Sequence, residues 1–172
     1  HPDTDEGVSM ELMHPSLDND LGGSWRAAKR APTPGKLNSV FAEPNQIPPH
    51  VRQVRHRPKA PMSGEAVVVT AKVTDADGVG SVTLHYQWLE PGNYIRISDD
   101  AFETTWETLG MTDDGVAPDA LADDGIFSVS MPESLQVHRH LTRYRITAED
   151  TAGNSLRLPY DDDPQPNFAY FT

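Results

Sequence analysis

The segment "TDDGVAPDALADDGIF", residues 112–127, holds the side chains most able to do chemistry in this chain of 172 residues. It has no Lys or Arg, and its carboxylates are Asp113, Asp114, Asp119, Asp123 and Asp124. Such a cluster fits a Ca²⁺ site, because Ca²⁺ takes about six to eight oxygen ligands, although the spacing is not that of an EF-hand loop. It also fits a pair of catalytic carboxylates or a solvated turn, because Asp and Gly favour turns. Which of these three interpretations holds depends on the residues that the fold places next to the loop.

Other side chains with possible chemistry form weaker patterns. His138 and His140 could share one strand face as metal ligands, but no third ligand is near them in the sequence, which favours an exposed loop or edge strand. The absence of cysteine excludes disulfides, thiol catalysis and Cys-ligated zinc. No nucleophile elbow or Gly-rich phosphate loop supports an enzyme. Glycosidase carboxylates need a cleft, which nothing in the sequence indicates.

The net charge of -12 restricts the partners. Nucleic acid and anionic membrane surfaces attract basic proteins, so we expect neither as a partner. No apolar run approaches the roughly 18 residues of a spanning helix, so no membrane insertion is expected. Residues 1–60 are close to neutral, whereas acidic residues outnumber basic ones about threefold in residues 61–172, which indicates two units with different surfaces. The basic run "HVRQVRHRPK" is expected to be a solvated strand that could pair with the acidic body or with a neighbouring module.

Residues 62–160 alternate apolar and polar side chains, as half-buried antiparallel strands do. The alternation and the turn-forming breaks predict strands over residues 66–74, 81–88, 104–111, 126–131, 141–148 and 155–159. No helical period is sustained, so very little helix is expected, and the fold is predicted to be an all-β sandwich of about seven strands. Gln87, Arg143 and Arg145 are expected on the outer faces. The side chains expected between the sheets are Val67, Val69, Ala71, Val73, Val82, Leu84, Tyr86, Trp88, Phe127, Val129, Met131, Tyr144, Ile146 and Ala148.

The acidic loops are expected to meet at one pole. Because antiparallel strands alternate in direction, the loops that follow the first, third and fifth of these strands emerge together, unless "NYIRI" adds a strand. Like charges this close repel each other unless a cation compensates them. If a cation is present, we expect Ca²⁺; if none is, the loops are solvated turns and there is no cofactor. The candidate Ca²⁺ ligands are Asp113, Asp119 and Asp124 from the main loop, with Asp75, Asp77 and Asp150.

Residues 1–46 differ from the rest in composition. A strand-like "VSMELM" precedes a stretch dense in Pro, Gly and Asn, which predicts mostly irregular chain. The prolines of "EPNQIPPHV" predict a stiff, extended linker, because each biases the preceding residue towards extended geometry. The predicted organisation is one unit over residues 1–42, a Pro-rich linker with a basic first strand over 43–60, and the sandwich over 61–172.

Residues 9–40 resemble the closing part of a bacterial lamin-tail domain. The resemblance covers under half of such a domain, whose earlier strands this chain lacks. An incomplete sandwich leaves an unpaired strand edge, so "SMELM" is expected to pair with a sheet edge of residues 62–160 or of another molecule. The residues that carry the resemblance are Glu11, Leu12, Pro15, Asp18, Asn19, Trp25, Thr33, Pro34, Gly35, Asn38 and Ser39. Residues 1–42 are therefore expected to be a lamin-tail fragment.

Residues 48–172 resemble the Ig-like module that follows lamin-tail domains in large secreted bacterial proteins. Those proteins often continue into a spore-coat protein H (CotH) kinase-like domain, none of whose motifs occurs here. The resemblance is carried by "PPHVRQVRHRPKAPMSGEAVVVTAKVTDADGVGSVTLHYQ", the "DDG…D…ADDGIF" run, "RYRITAEDTAGNS" and "PYDDDPQPNFAYF". It implies an Ig-like or fibronectin-III-like sandwich that is non-catalytic and extracellular or at the cell surface.

The sequence therefore predicts a structural or interaction module, a spacer or adhesion unit of a larger extracellular or cell-surface bacterial protein, and not an enzyme. Its partners would be neighbouring domains of the same parent protein, other surface proteins, or glycans. The alternative is a carbohydrate-binding module that could depend on Ca²⁺. Exposed, coplanar aromatic rings would favour that alternative, whereas buried Trp88 and Trp106 would favour the spacer.

Overall fold

The computed structural model describes residues 7–31, 33–161 and 163–172. The chain is predominantly β, in antiparallel sheets, as the alternation of side chains predicts. It divides into two compact units, residues 1–47 and 48–172. The helical elements in the described ranges are α1 (Asp100–Thr104) and three 3-10 helices, Gly22–Ser24, Pro44–Gln46 and Glu133–Leu135. No helix within these ranges is long and apolar enough to span a membrane.

The first unit contains one two-stranded antiparallel ladder, in which β1 (Met10–Leu12) pairs with β2 (Trp25–Ala27). The strand that pairs with β1 in the structure therefore lies in its own unit, whereas the sequence predicted an edge of residues 62–160 or of another molecule. The sequence did not predict β2, because this strand is only three residues long and lies in a stretch whose composition is typical of irregular chain. The same unit contains a small apolar cluster of Met13, Val40 and Ile47.

The second unit contains two antiparallel sheets. The three-stranded sheet has the order β3 (His50–Arg57), β4 (Val67–Thr74), β7 (Ile126–Met131). The five-stranded sheet has the order β10 (Phe168–Phe171), β8 (Leu141–Asp150), β5 (Val79–Leu89), β6 (Glu107–Gly110), with β9 (Ser155–Leu158) also paired to β8. After β6 the chain changes sheets, because Met111 N–H still donates to the Val82 carbonyl while Thr112 bridges to Ser128 of β7.

Side chains from both sheets of the second unit form one hydrophobic core. Leu84 and Ile146 are cross-strand partners and are fully buried, and Val69 of the other sheet belongs to the same cluster. Phe127 and Val129, expected to be buried, are only partly so, because β7 has a full strand neighbour on one side only.

Trp88, also expected in the core, is half-buried. Its ring stacks on His140 with the two ring centroids 4.4 Å apart. The segment "NYIRI" forms no strand, so the expected direction of the later strands holds.

The outer face of the five-stranded sheet is covered over part of its area by residues 90–106. Gln87, Arg143 and Arg145 point away from the core as expected, yet each is at most 3% exposed. Their cover includes Phe102 of α1, which is itself fully buried. The strand predicted to start at residue 104 therefore starts at Glu107, since the helix takes the residues before it.

Candidate functional site

Three of the six candidate ligands come together in the loop between β6 and β7. One carboxylate oxygen from each of Asp113, Asp119 and Asp124 lies within 4.8 Å of the others. Asp119 is the most enclosed, at 5% exposure, and the other two are half-buried. Within the described part of the chain, this is the one group of three or more potential metal ligands.

Two Asp-Asp-Gly turns explain how the loop reaches this geometry. Asp114 and Asp124 each accept a hydrogen bond from the backbone N–H two residues later, which is the usual turn made by an Asp side chain. Asp113 then ties the second turn to the first, because its carboxylate accepts from the N–H groups of Asp124 (3.2 Å) and Gly125 (2.7 Å). Asp119 accepts from the N–H of Gly115 at 2.6 Å. The loop is therefore rich in aspartate partly because its turns need carboxylates to accept hydrogen bonds from backbone N–H groups.

The neighbouring strand β4 holds the second turn in place. Gly125 adopts a φ of +74°, and a Cβ there would stand 3.1 Å from the Val73 carbonyl, so glycine fits this position best. Val73 N–H donates to the Gly125 carbonyl at 2.8 Å. Lys72 Nζ donates to the Asp124 carbonyl, which brings one positive charge to the edge of the acidic loop.

Asp75, Asp77 and Asp150 lie at the same pole but are not part of this triad. The β4–β5 and β8–β9 loops that carry them are joined by hydrogen bonds from Thr151 to the carbonyls of Asp77 and Gly78. Burial raises the pKa of Asp75 above its ordinary value, and the charges of Asp150 and Asp77 raise it further. Burial is the largest cause, and the smaller contributions of the two neighbouring carboxylates have the sign of the repulsion expected from the sequence.

The pKa of Asp150 moves in the opposite direction. Burial opposes its ionisation, but hydrogen bonds from the Asn154 side chain and backbone and from the backbone of Ala152 and Gly153 hold its pKa below the ordinary value. Asp150 is thus a structural acceptor whose carboxylate is already occupied, with 2.7 Å between Asn154 Nδ2 and its Oδ2. It has less capacity left for a cation than the triad has.

The histidine pair that the sequence offered as a weak metal candidate, His138 and His140, has different surroundings in the structure. His140 stacks on Trp88, and its Nδ1 is 3.1 Å from the Val137 carbonyl oxygen. His138 is exposed, and neither histidine belongs to a ligand group among the described residues. His56 instead points towards the core, with its Nδ1 2.9 Å from the Tyr144 hydroxyl, and burial lowers its pKa.

Residues 94–106 and β8 form an arginine–aromatic layer that the sequence reading missed. The Arg145 guanidinium lies 4.2 Å from the ring centroid of Trp106 and 4.7 Å from that of Phe102, and it donates both Nη groups to Glu103 at 3.1 Å. Hydrogen bonds from Arg145 lower the pKa of Glu103. The members of the layer are Tyr94, Phe102, Trp106, Arg143 and Arg145. The available signal was two arginines at alternate positions of β8 and a preceding aromatic-rich loop.

The three tryptophans do not form an exposed platform. Each is half-buried and donates its indole N–H to a backbone carbonyl: Trp25 to Asn19, Trp88 to Leu135 and Trp106 to Phe102. A shallow depression of about 200 Å³ lies in the first unit, lined by Leu12, Pro15, Lys36, Leu37, Asn38 and Phe41. Its lining contains no carboxylate or imidazole to support acid–base chemistry.

The arrangement therefore offers one group of carboxylates able to hold a hard cation among the described residues. Comparison with known proteins finds no family model that matches the chain and no curated protein with significant sequence similarity.

Proposed function

We propose that this chain is a non-catalytic structural and interaction module, a spacer or adhesion unit of a larger extracellular or cell-surface bacterial protein. One observation carries the proposal: five of the six candidate carboxylates and all three indoles are hydrogen-bonded to the chain's own backbone. The carboxylates of the acidic loop accept turn N–H groups, and the indoles donate to carbonyls. Such groups stabilise loops and leave the surfaces of the module to make contacts.

The second unit supports a sandwich of the Ig or fibronectin-III kind. Two antiparallel sheets contribute to one core, and the chain changes sheets after β6, as strands do in such sandwiches. The first and last strands, β3 and β10, belong to different sheets. Modules of this architecture are common as extracellular units that work through their surfaces.

The first unit supports the proposed lamin-tail fragment through the residues that carry the resemblance. Glu11 is buried and accepts hydrogen bonds from both the N–H and the hydroxyl of Ser39, each at 2.7 Å. Asn38 Nδ2 donates to the Leu12 carbonyl at 2.9 Å. Residues far apart in the motif thus bond one another, which gives the spacing a structural reason.

The proposal includes Ca²⁺ as a stabilising ligand of the triad. Asp113, Asp119 and Asp124 supply carboxylate oxygens from one loop, and Ca²⁺ accepts irregular sets of oxygens of this kind. Asp75, Asp77 and Asp150 are left out of that set. Asp150 already accepts three hydrogen bonds, from Ala152 and Asn154, against two each for Asp113 and Asp119. Asp75 and Asp77 belong to another turn. Bound Ca²⁺ would offset the repulsion expected among these three carboxylates.

Localisation on the cell tests the proposal directly. An antibody against this chain should label intact cells of the source organism, and an immunoblot should show a band much larger than the chain itself. An antibody against a cytoplasmic protein, which should label only permeabilised cells, is the control. Labelling that appears only after permeabilisation would contradict the proposed surface role.

A further inference from the structure

The outer face of the three-stranded sheet carries cations and no carboxylate. The strands β3, β4 and β7 contain no Asp or Glu, although the chain as a whole is strongly acidic. The register pairs Val51 with the buried Val73, so the side chains on either side of Val51 point outward. Beyond an irregularity in the ladder, Arg55 pairs with Thr70 and Arg57 with Val68, again on the outer face. The resulting row is Arg52, Arg55 and Arg57, which we name the arginine row.

The arginine row has no internal counter-charge. Arg55 and Arg57 are exposed, and no ion pair joins a carboxylate to any of the three in the part of the chain that the structure describes. Arg52 donates to the Thr74 hydroxyl at 2.8 Å, a neutral partner. By contrast, Arg143 and Arg145 of the other sheet are buried, and Arg145 and Arg157 of that sheet form ion pairs with carboxylates.

The acidic pole is screened from two of the three arginines of the row. Thr74 marks the end of β4 at that pole, and at about 3.3 Å per residue Arg52, which pairs with Lys72, lies about 7 Å from it. Arg55 and Arg57 lie about 13 and 20 Å from it, and only these two distances exceed the Debye length of about 8 Å at physiological salt. An extended anion lying along the far half of β3 therefore meets Arg55 and Arg57 while the loop carboxylates are screened.

The backbone of β3 is poorly suited to adding a strand. The ladder is interrupted between Arg52 and Arg55, and Gln53 has a φ of +53°, which is uncommon outside glycine. Bulges of this kind are one way in which edge strands avoid pairing with other chains. A partner must therefore bind through the outward side chains, whose planar guanidinium forks match the geometry of carboxylate groups.

We propose that the arginine row is a docking surface for a linear, acidic polysaccharide. The row is a line of charge along one strand, which suits an extended polyanion better than a broad protein surface that would also face the acidic loops. The inference rests on the proposed role as an interaction module and names one partner for it. A spacer that binds no polymer would still pass the surface-labelling test, so the two proposals fail separately.

The test measures binding of the whole chain to polygalacturonate, a linear polymer with a carboxylate on each sugar, by biolayer interferometry. Arg55→Gln with Arg57→Gln should weaken binding about tenfold, since exposed ion pairs each contribute modestly. Arg96→Gln with Arg139→Gln removes the same charge from two other exposed arginines and should leave binding within about twofold. Circular dichroism of both variants checks that they are folded.

Three results would overturn the proposal. The first is absence of binding by the wild-type chain. If the Arg55→Gln, Arg57→Gln variant then also self-associates, the role of the arginines is to keep the edge of β3 from pairing with another chain. The second is an equal loss in both double variants, which would indicate general charge attraction. The third is tighter binding to poly-L-glutamate than to polygalacturonate, which would assign the row to an acidic polypeptide. Uncharged dextran should not bind.

Discussion

Calcium should stabilise the second unit through the triad of the acidic loop. The perturbation is the addition of about 5 mM CaCl₂ to a chain first treated with EDTA. Extracellular Ca²⁺ modules have dissociation constants of about 10⁻⁴ to 10⁻³ M. At that range, mass action gives a stabilisation of about 1–2 kcal/mol. For a unit of this size, the expected rise in melting temperature is about 3–8 °C.

The structure says which carboxylate should matter most. Asp119 is the buried member of the triad, whereas Asp114 sits on the same loop, is exposed and lies outside the triad. Asp119→Asn should abolish the calcium response, because it removes a charged ligand while keeping an oxygen that can accept from Gly115. Asp114→Asn removes the same charge and should respond as the wild type does. Calorimetry, with NaCl at matched ionic strength as the blank, measures all three proteins.

Two outcomes would refute this reasoning. A melting temperature that does not change with calcium would mean that the turn hydrogen bonds and Lys72 already suffice. An equal response in Asp119→Asn and Asp114→Asn would mean that calcium acts on the general charge of the pole and not on the triad.

Further predictions concern the core, the outer layer and pH. Leu84→Ala should lower the free energy of unfolding by about 2–5 kcal/mol in urea titrations, and a loss below about 1 kcal/mol would contradict its full burial. Phe102→Ala should cost about 3–5 kcal/mol and expose Arg145 to solvent, whereas an unchanged midpoint would show that the layer is not coupled to the fold. Burial lowers the pKa of His56, so its contribution is complete above the unfolded value of 6.5 and is lost as pH falls through the folded value. His56→Gln should therefore reduce the fall in the free energy of unfolding between pH 7.5 and pH 5. An unchanged slope would mean that other groups cause that fall.

The strands of the second unit were predictable because one face of each is buried. In β4 every second residue is apolar and enclosed, so the period of two is visible in the sequence alone. The meeting of the acidic loops followed from strand direction, which needs only the order of the strands. That reasoning placed Asp75 and Asp150 at the right pole, but it could not show that they lie outside the triad. Their position depends on which backbone N–H groups donate hydrogen bonds to each carboxylate.

The arginine–aromatic layer was not predictable by the same means. Residues 90–106 have no period, so nothing in that segment shows that Phe102 is buried or that it covers Arg145. Alternation shows which way a side chain points and does not show whether a loop later covers it. Strand β2 was missed for a similar reason, since three residues are too few to establish a period.

The placement of β3 and β10 in different sheets has a mechanical consequence. The start of β3 lies beside the end of β4 at the acidic pole, whereas β10 ends beside the start of β8 at the other pole. Tension applied through the two ends of the second unit therefore pulls along both terminal strands and loads their ladders in shear, with all bonds of a ladder strained together. We expect single-molecule pulling to show one high-force rupture for this unit, and a low-force, stepwise extension would contradict that loading geometry.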